Sequence, residues 1–243
     1  MLCEGQSIRA ITRVMGMSKN TVAKLLSDAG AVCAYYQDET LRNLTSKRIQ
    51  DDEIWSFTYA KEKNVRAAKA APEWAGDTWT WTAIDADTKL VMSWLVGGRD
   101  SEYAMAFIDD LSRRLANRVQ LTSNGHRTYL EAAEGAFGGD VDYAMLIKIY
   151  GTSPDSAKGR YSPAECTGAR KETIEGNPEH VSTSFAERQN LTMRMHMRRF
   201  TRLTNGFSKK VEAHANAVAL HFMYSTSSAS IRRCVSRQLW PLA

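Results

Sequence analysis

The chain has 243 residues, enough for one large domain or a core domain with a small appendage. It is 43% hydrophobic and 24% charged, ordinary values for a globular protein with a sizeable core, and no run of eighteen apolar residues allows a helical membrane span. The net charge of +5 is uneven: residues 181–210 carry seven Lys/Arg against one acid, a local +6 that leaves −1 for the rest. A concentrated basic segment suits a polyanionic partner, although a solvated helix face would look the same. The opening MLCEGQSIRA lacks the character of a secretion signal. Cys3, Cys33, Cys166 and Cys234 show neither a CxxC pair nor metal-ligand spacing, so reduced thiols in a cytoplasmic protein are expected.

SIRAITRVMGMSKNTVAKLL (7–26) predicts two short helices around a tight turn. Ser7 can cap the first, whose Ile8, Ile11, Val14 and Met15 keep helical spacing. Gly16 allows the turn, and Ser18 can cap a second helix bearing Val22, Leu25 and Leu26. This is helix-turn-helix spacing, with Lys19, Asn20, Thr21 and Lys24 as outward candidates for DNA contact. A plain helical hairpin fits the pattern nearly as well. A helix-turn-helix leans on an earlier helix, so a unit over 1–37 that starts six residues before Ser7 reads as truncated. Residues 38–48 form a polar, basic connector.

Strand signals begin at IQDDEIWSFTYA (49–60), where alternation sets Trp55, Phe57 and Tyr59 against Asp52 and Ile54, with Asp51 and Glu53 facing away from Asp52. TWTWTAID (78–85) and LVMSWLV (90–96) predict two more strands, and 101–118 an amphipathic helix with Ala104, Phe107, Ile108, Leu111 and Leu115 inward. A strand at 119–123, a helix at 126–137 and a strand at 141–150 follow. Residues 151–180 read as a long loop, 184–204 as a long basic helix and 207–224 as a last helix. Three strands, helix, strand, helix, strand, helix is an α/β order, a mixed sheet flanked by helices, and it is also the order of the ribonuclease H-like fold.

DEIWSF, WTWTAIDADTKL, WLVGGRD, LTSNGH, STSFAERQNLTMRMHMRRFTRLTNGFSKKV and HANAVALHFMY together resemble the DDE transposases of bacterial insertion sequences, specifically the single-frame branch of the insertion sequence 1 family. The resemblance runs from about residue 4 to 224, most specifically over 182–211. It implies a ribonuclease H-like catalytic domain over 49–224, two Mg²⁺ or Mn²⁺ ions, terminal inverted repeats and target DNA as double-stranded substrates, and a homo-oligomer at the nucleoid. The family triad lies in Asp-Glu-x-Trp, Thr-x-Asp-Gly-His and Glu-Arg-Gln-Asn, which map onto Asp52, Asn124 and Glu187. The middle residue departs from the pattern. An Asn carbonyl can ligate, but it brings no charge and less lone-pair capacity than the carboxylate a two-metal site wants. The expectation is an impaired site in a degenerate copy, either a weakened transposase or an inert DNA-binding remnant that occupies element ends or inhibits active copies.

Asp85 is kept as a supporting acid, and Asp87 as a competitor, because both lie near the second strand's end. His126 is a candidate phosphate contact, or a structural residue starting a helix. On the late helix, Glu187, Leu191, Arg194 and Arg198 share one face, and Arg188, Arg199 and Arg202 complete a phosphate-binding set. Met193, Met197 and Phe200 read as core filler. The tail 225–243 lacks periodicity and family likeness. Back-translated one base earlier it can encode LNFIRIHPSMRVTPAMAAG, which resembles the family ending, so a frameshift near Tyr224 is expected; a divergent, flexible terminus is the alternative.

Overall fold

The computed structural model describes residues 1–151, 165–201 and 205–227. Arg202 and the tail beyond Ser227 lie outside the described residues. Helices α1 (Ile8–Met15) and α2 (Lys19–Thr40) are followed by β1 (Arg48–Thr58), the short α3 (Glu62–Val65), β2 (Gly76–Asp85) and β3 (Val91–Gly97). Then come α4 (Ser101–Arg114), β4 (Val119–Asn124), α5 (Thr128–Phe137), β5 (Val141–Gly151), β6 (Glu165–Glu175), α6 (Ser184–His196) and α7 (Val211–Ser227). The strands form one mixed sheet in the order β3-β2-β1-β4-β5-β6. β1 runs antiparallel to β2 and parallel to β4; β4 is parallel to β5, and β6 returns antiparallel at the edge.

Each face of the sheet buries its own cluster. Ile49, Trp81, Leu121 and Tyr143 pack against Phe107, Ile108 and Leu111 of α4 and Tyr129 of α5. On the other face Ile54, Ile84 and Val91 meet Leu26 of α2, Met193 of α6, and Val218 and Phe222 of α7. Met197 and Phe200 are buried in that second cluster, as their spacing predicts. No helix among the described residues is long and apolar enough to cross a membrane.

Several boundaries differ from expectation for physical reasons. Ser7 and Ser18 cap α1 and α2, and Gly16 takes positive φ between them, as the spacing predicts. But α2 continues through Thr40, well beyond a short second helix, because Val22, Leu26, Gly30 and Gln37 give it an inward face against α7 and β3. Gln37 donates to the Ala219 carbonyl and accepts from the Trp94 indole. The expected loop 151–180 contains β6, whose residues 166–175 are all exposed. An edge strand with no buried face carries no apolar alternation to read. The long basic helix stops at His196: Met197 adopts extended geometry, and a 3-10 turn, Arg198–Phe200, follows. Arg198 therefore leaves the helical face it was expected to share with Glu187. Cys3, Cys33 and Cys166 are free thiols.

Where α2 crosses α7, a Cβ on Gly30 would come within 2.3 Å of the Asn216 carbonyl oxygen and 2.5 Å of its Cβ. Gly→Ala inside a helix ordinarily stabilises by about 1 kcal/mol. Here the two backbones must separate first, so Gly30→Ala is expected to destabilise by about 1–3 kcal/mol. Chemical denaturation would measure it, and a more stable variant would mean that the crossing is not tight.

Candidate functional site

β4 ends at Asn124 while β1 continues to Thr58, and β5 runs on to Gly151. The last parallel pair between β1 and β4 is Asp51 with Ser123. A notch therefore opens beyond the carboxyl end of β4, the kind of place where open α/β sheets bind ligands. Asp52 lies on its β1 side, on the face that carries Gln50 and Ile54. Gln50 fixes the approach of α6 by accepting from the Phe185 and Ala186 backbone N–H groups.

The Asn124 side chain spans the notch. Its Oδ1 accepts from the His126 N–H at 2.9 Å, which closes an Asx-type turn without positive φ at Asn124 or Gly125. That bond fixes which way the amide points. Nδ2 then donates to Asp52 Oδ1 at 2.8 Å and to Glu53 Oε2 at 2.7 Å. Asp52 Oδ2 accepts from Asn190 Nδ2 at 2.8 Å, and Asp52 Oδ1 also accepts from the Glu53 N–H. Burial, then the Glu53 charge, push the Asp52 carboxyl up to about 6; the Asn124 hydrogen bond pulls the other way, and Glu187 adds to the rise.

Glu187 is the third mapped residue. It lies one turn before Asn190 on α6, its charge is felt at Asp52, and both of its oxygens have partners of their own. Thr183 donates to its Oε1 at 2.6 Å, and the Lys148 ammonium of β5 pairs with its Oε2. The burial cost at Lys148 is outweighed by this pairing, which raises its pKa.

Glu53 was expected to face away from Asp52, and its backbone does follow the alternation. Its carboxylate nevertheless enters the site, because Arg99 donates to Oε1 at 2.9 Å while Asn124 and Tyr129 donate to Oε2. Arg99 is itself stacked over Trp79, with its guanidinium carbon 4.4 Å from the ring centroid. Asn190, Lys148 and Arg99 were not singled out in the sequence, and Glu53 was named only as facing away from Asp52. For Glu53 a signal existed, since an acid adjacent to Asp52 is already in the chain; the cations reach the site from loops and strands distant in sequence.

A two-ion site needs carboxylate oxygens free to meet hard cations. Here both oxygens of Asp52, both of Glu187 and the Asn124 carbonyl already accept hydrogens from the protein, and Asn124 turns its N–H bonds to the acids. As arranged, the donor set is engaged within the protein and brings no charge at position 124, where the family resemblance implies a third carboxylate. What it builds is an acidic cluster in which the Lys148 ammonium pairs with Glu187 and the Arg99 guanidinium with Glu53. Asp52, held by the amides of Asn124 and Asn190 rather than by a cation, has its carboxyl pushed up to about 6.

The remaining candidates are dispersed. Asp85 lies at the opposite end of the sheet, paired with Ile49, where its carboxylate accepts from Ser46, Thr88 and the Asp87 N–H. It holds the β2–β3 turn and is no part of the notch; Asp87 pairs with Arg48. The same end carries a cleft of about 1030 Å³ lined by Arg48, Asp85, Arg118 and His180, among others. Its arginines are already tied to Asp87, Asp140 and Asp142. The His126 ring packs edge-on against Trp81 and Tyr129 and meets the Thr128 hydroxyl, and burial, then the Arg99 charge, lower its pKa while Glu53 acts the other way. Arg188, Arg194 and Arg198 are exposed. Arg199 is turned inward instead: it donates to Ser208 Oγ and the Ala213 carbonyl at 2.9 Å, and burial lowers its pKa to about 10. Its role is to tie the 3-10 turn to α7, which corrects its expected place among the phosphate contacts. Lys19, Asn20, Thr21 and Lys24 are all exposed in the first turns of α2, with Lys24 paired to Asp28.

No protein-family model matches the chain, and no curated protein matches it.

Proposed function

We propose that the chain is a DNA-binding protein of the DDE transposase type, with a ribonuclease H-like sheet, whose reaction centre is closed by Asn124. The observation that carries this reading is the single amide donating to both Asp52 and Glu53, in the seat where the family resemblance requires a carboxylate. The mixed sheet, with β4 and β5 parallel to β1, is compatible with that fold, and the approach of Asp52, Asn124 and α6 at one notch supports the mapping of the triad. Asp52, Asn124 and Glu187 would hold Mg²⁺ or Mn²⁺ only if position 124 supplied charge. The metal, when bound, supplies Lewis acidity to a phosphodiester and activates the attacking oxygen. In this chain Asn124 holds Asp52 instead, and Glu187 is held by Thr183 and Lys148. The protein then acts by occupancy: it binds double-stranded DNA, including element ends, in the cytoplasm near the nucleoid, and competes with active copies.

Arg188, Arg194 and Arg198 provide the exposed cationic surface beside the notch, and Lys19, Asn20, Thr21 and Lys24 the exposed polar start of α2. Replacing Arg188 and Arg198 with Ala is expected to weaken binding to specific and random duplexes alike. The slope of log affinity against log salt should fall by roughly 2, about 0.9 per lost phosphate contact. Strand cleavage on element-end DNA with Mg²⁺ or Mn²⁺ tests the proposal itself. Bound but uncut DNA is expected from the parent chain, and metal-dependent nicking by it would restore the reading of an active transposase.

A further inference from the structure

On the face of the sheet that carries Glu53, the buried cluster of β2 ends at Trp81, the cross-strand partner of Glu53. One step further out, Trp55 of β1 and Trp79 of β2 pair across the strands, and both remain partly exposed. Cations lie over these rings. The Arg99 guanidinium carbon is 4.4 Å from the Trp79 centroid, and the Lys61 ammonium is 5.7 Å from the centroids of both Trp55 and Phe57. Phe207 extends the row, its ring 5.1 Å from that of Phe57. Arg99 is itself exposed, so its guanidinium plane continues the Trp79 stack toward water.

The connection between β1 and β2, residues 59–75, adds charge beside the rings. It carries Lys61, Lys63, Arg66 and Lys69 against Glu62 and Glu73, a local +2, and Lys63, Arg66 and Lys69 are exposed. Trp74 of the same connection exposes 43% of its surface and stands edge-on to Tyr59. An apolar protein segment would use the rings and leave the cations unmatched. A nucleic-acid strand alternates flat rings with phosphates and uses both: bases stack on aromatic side chains and guanidinium planes, and Lys and Arg follow the backbone. The bases must be unpaired, because in a duplex their faces are covered by stacked neighbours.

The geometry points to the Trp55–Trp79 face as a platform for unpaired nucleotides of a DNA strand, with the 59–75 connection holding its phosphates. The choice of DNA over RNA rests on the function proposed above; the platform rests on this face alone. Titrating the full chain with labelled oligo(dT), oligo(U) and a short duplex tests both. The parent should bind oligo(dT) at micromolar concentration, at least as tightly as oligo(U), and the bound strand should quench its tryptophan emission. Trp55→Ala should weaken oligo(dT) binding about 10-fold or more and leave duplex affinity unchanged, while Trp55→Phe keeps most of the binding. Lys63→Ala with Lys69→Ala, both at exposed positions, should leave the fold intact. It should lower the slope of log affinity against log salt on oligo(dT) by roughly 1.4, about 0.7 per lost contact on a single strand. A parent that binds the duplex but not oligo(dT) overturns the platform and leaves the proposed function standing. Binding of oligo(dT) without the duplex does the reverse. Tighter binding of oligo(U) overturns the choice of DNA. Binding without quenching, or a salt slope that the lysine variant leaves unchanged, also overturns the platform.

Discussion

Replacing His221 with Leu is expected to make the fold markedly less sensitive to acid. His221 is buried in α7 with neither ring nitrogen hydrogen-bonded, and burial, followed by the neighbouring His196, lowers its pKa to about 4. The unfolded chain takes up a proton near the ordinary value of 6.5, so neutral His221 is at no disadvantage above that pH. As pH falls toward 4 the unfolded state gains a proton that the folded state refuses, and stability drops by about 1.4 kcal/mol per unit. Over that window the parent should lose about 3 kcal/mol that the variant keeps. His214 acts in the same sense, its pKa held near 3 by burial and then by Arg199. It differs in having both nitrogens met by hydroxyls, of Ser56 and Ser208. Asp51 and Asp52 act in the opposite sense, because their raised values favour the folded state when protonated and cost stability as pH rises. Both opposing terms are shared by parent and variant, so the difference between their stability curves isolates His221. Parallel curves between pH 4 and 6.5 would mean that the ring is solvated. At neutral pH the Leu variant should be at least as stable as the parent, since two unmet polar atoms leave the core.

Asn124→Asp should destabilise the metal-free protein although it barely changes shape. The amide contributes two hydrogen bonds, to Asp52 and Glu53, and the carboxylate would contribute none while adding a third negative charge between them. A charged acceptor left without its donor costs about 1–3 kcal/mol. The Asp52 carboxyl, already up at about 6, should climb further, because a like charge replaces the hydrogen bond that had held it down. The loss should therefore be larger at pH 8 than at pH 5, where the cluster can take up protons. Equal melting temperatures for parent and variant at pH 8 would show that the amide does not bridge the two acids.

The central sheet was legible because its strands are buried on at least one face. Trp81, Ile49 and Leu121 must alternate or run together to fill the core, and that pattern is written in the residues. β6 was not legible, since its exposed polar residues are held by backbone pairing to β5 alone. The end of α6 at His196 was hidden for another reason: Met193, Met197 and Phe200 keep helical spacing on paper, and all three are buried although the chain leaves the helix at Met197. At the notch, the motif resemblance proposes Asp52 and Asn124, whose side chains lie 2.8 Å apart, whereas the residues alone left Asp85 as a rival. Asp85 lost its place through register, because pairing with Ile49 sets it at the far end of β1. Glu53 follows the alternation rule, opposite Trp81, yet its carboxylate still reaches the notch. A strand at the edge of a notch lets a long side chain curl around the end of its shorter neighbour, and Arg99 and Asn124 hold it there.

The claim that one amide replaces the charge of a metal-binding carboxylate is tested most directly by isothermal calorimetry of Mg²⁺ binding to the parent and to Asn124→Asp. With the amide in place, Asp52 and Glu187 are satisfied within the protein, and the parent should show no site-specific heat. With a carboxylate in place of the amide between Asp52 and Glu53, the variant should bind Mg²⁺, and saturating metal should recover the stability lost in its absence, because a ligand bound only by the folded state adds to its stability. Indistinguishable titrations for the two proteins would contradict the account and leave Asn124 as a turn residue.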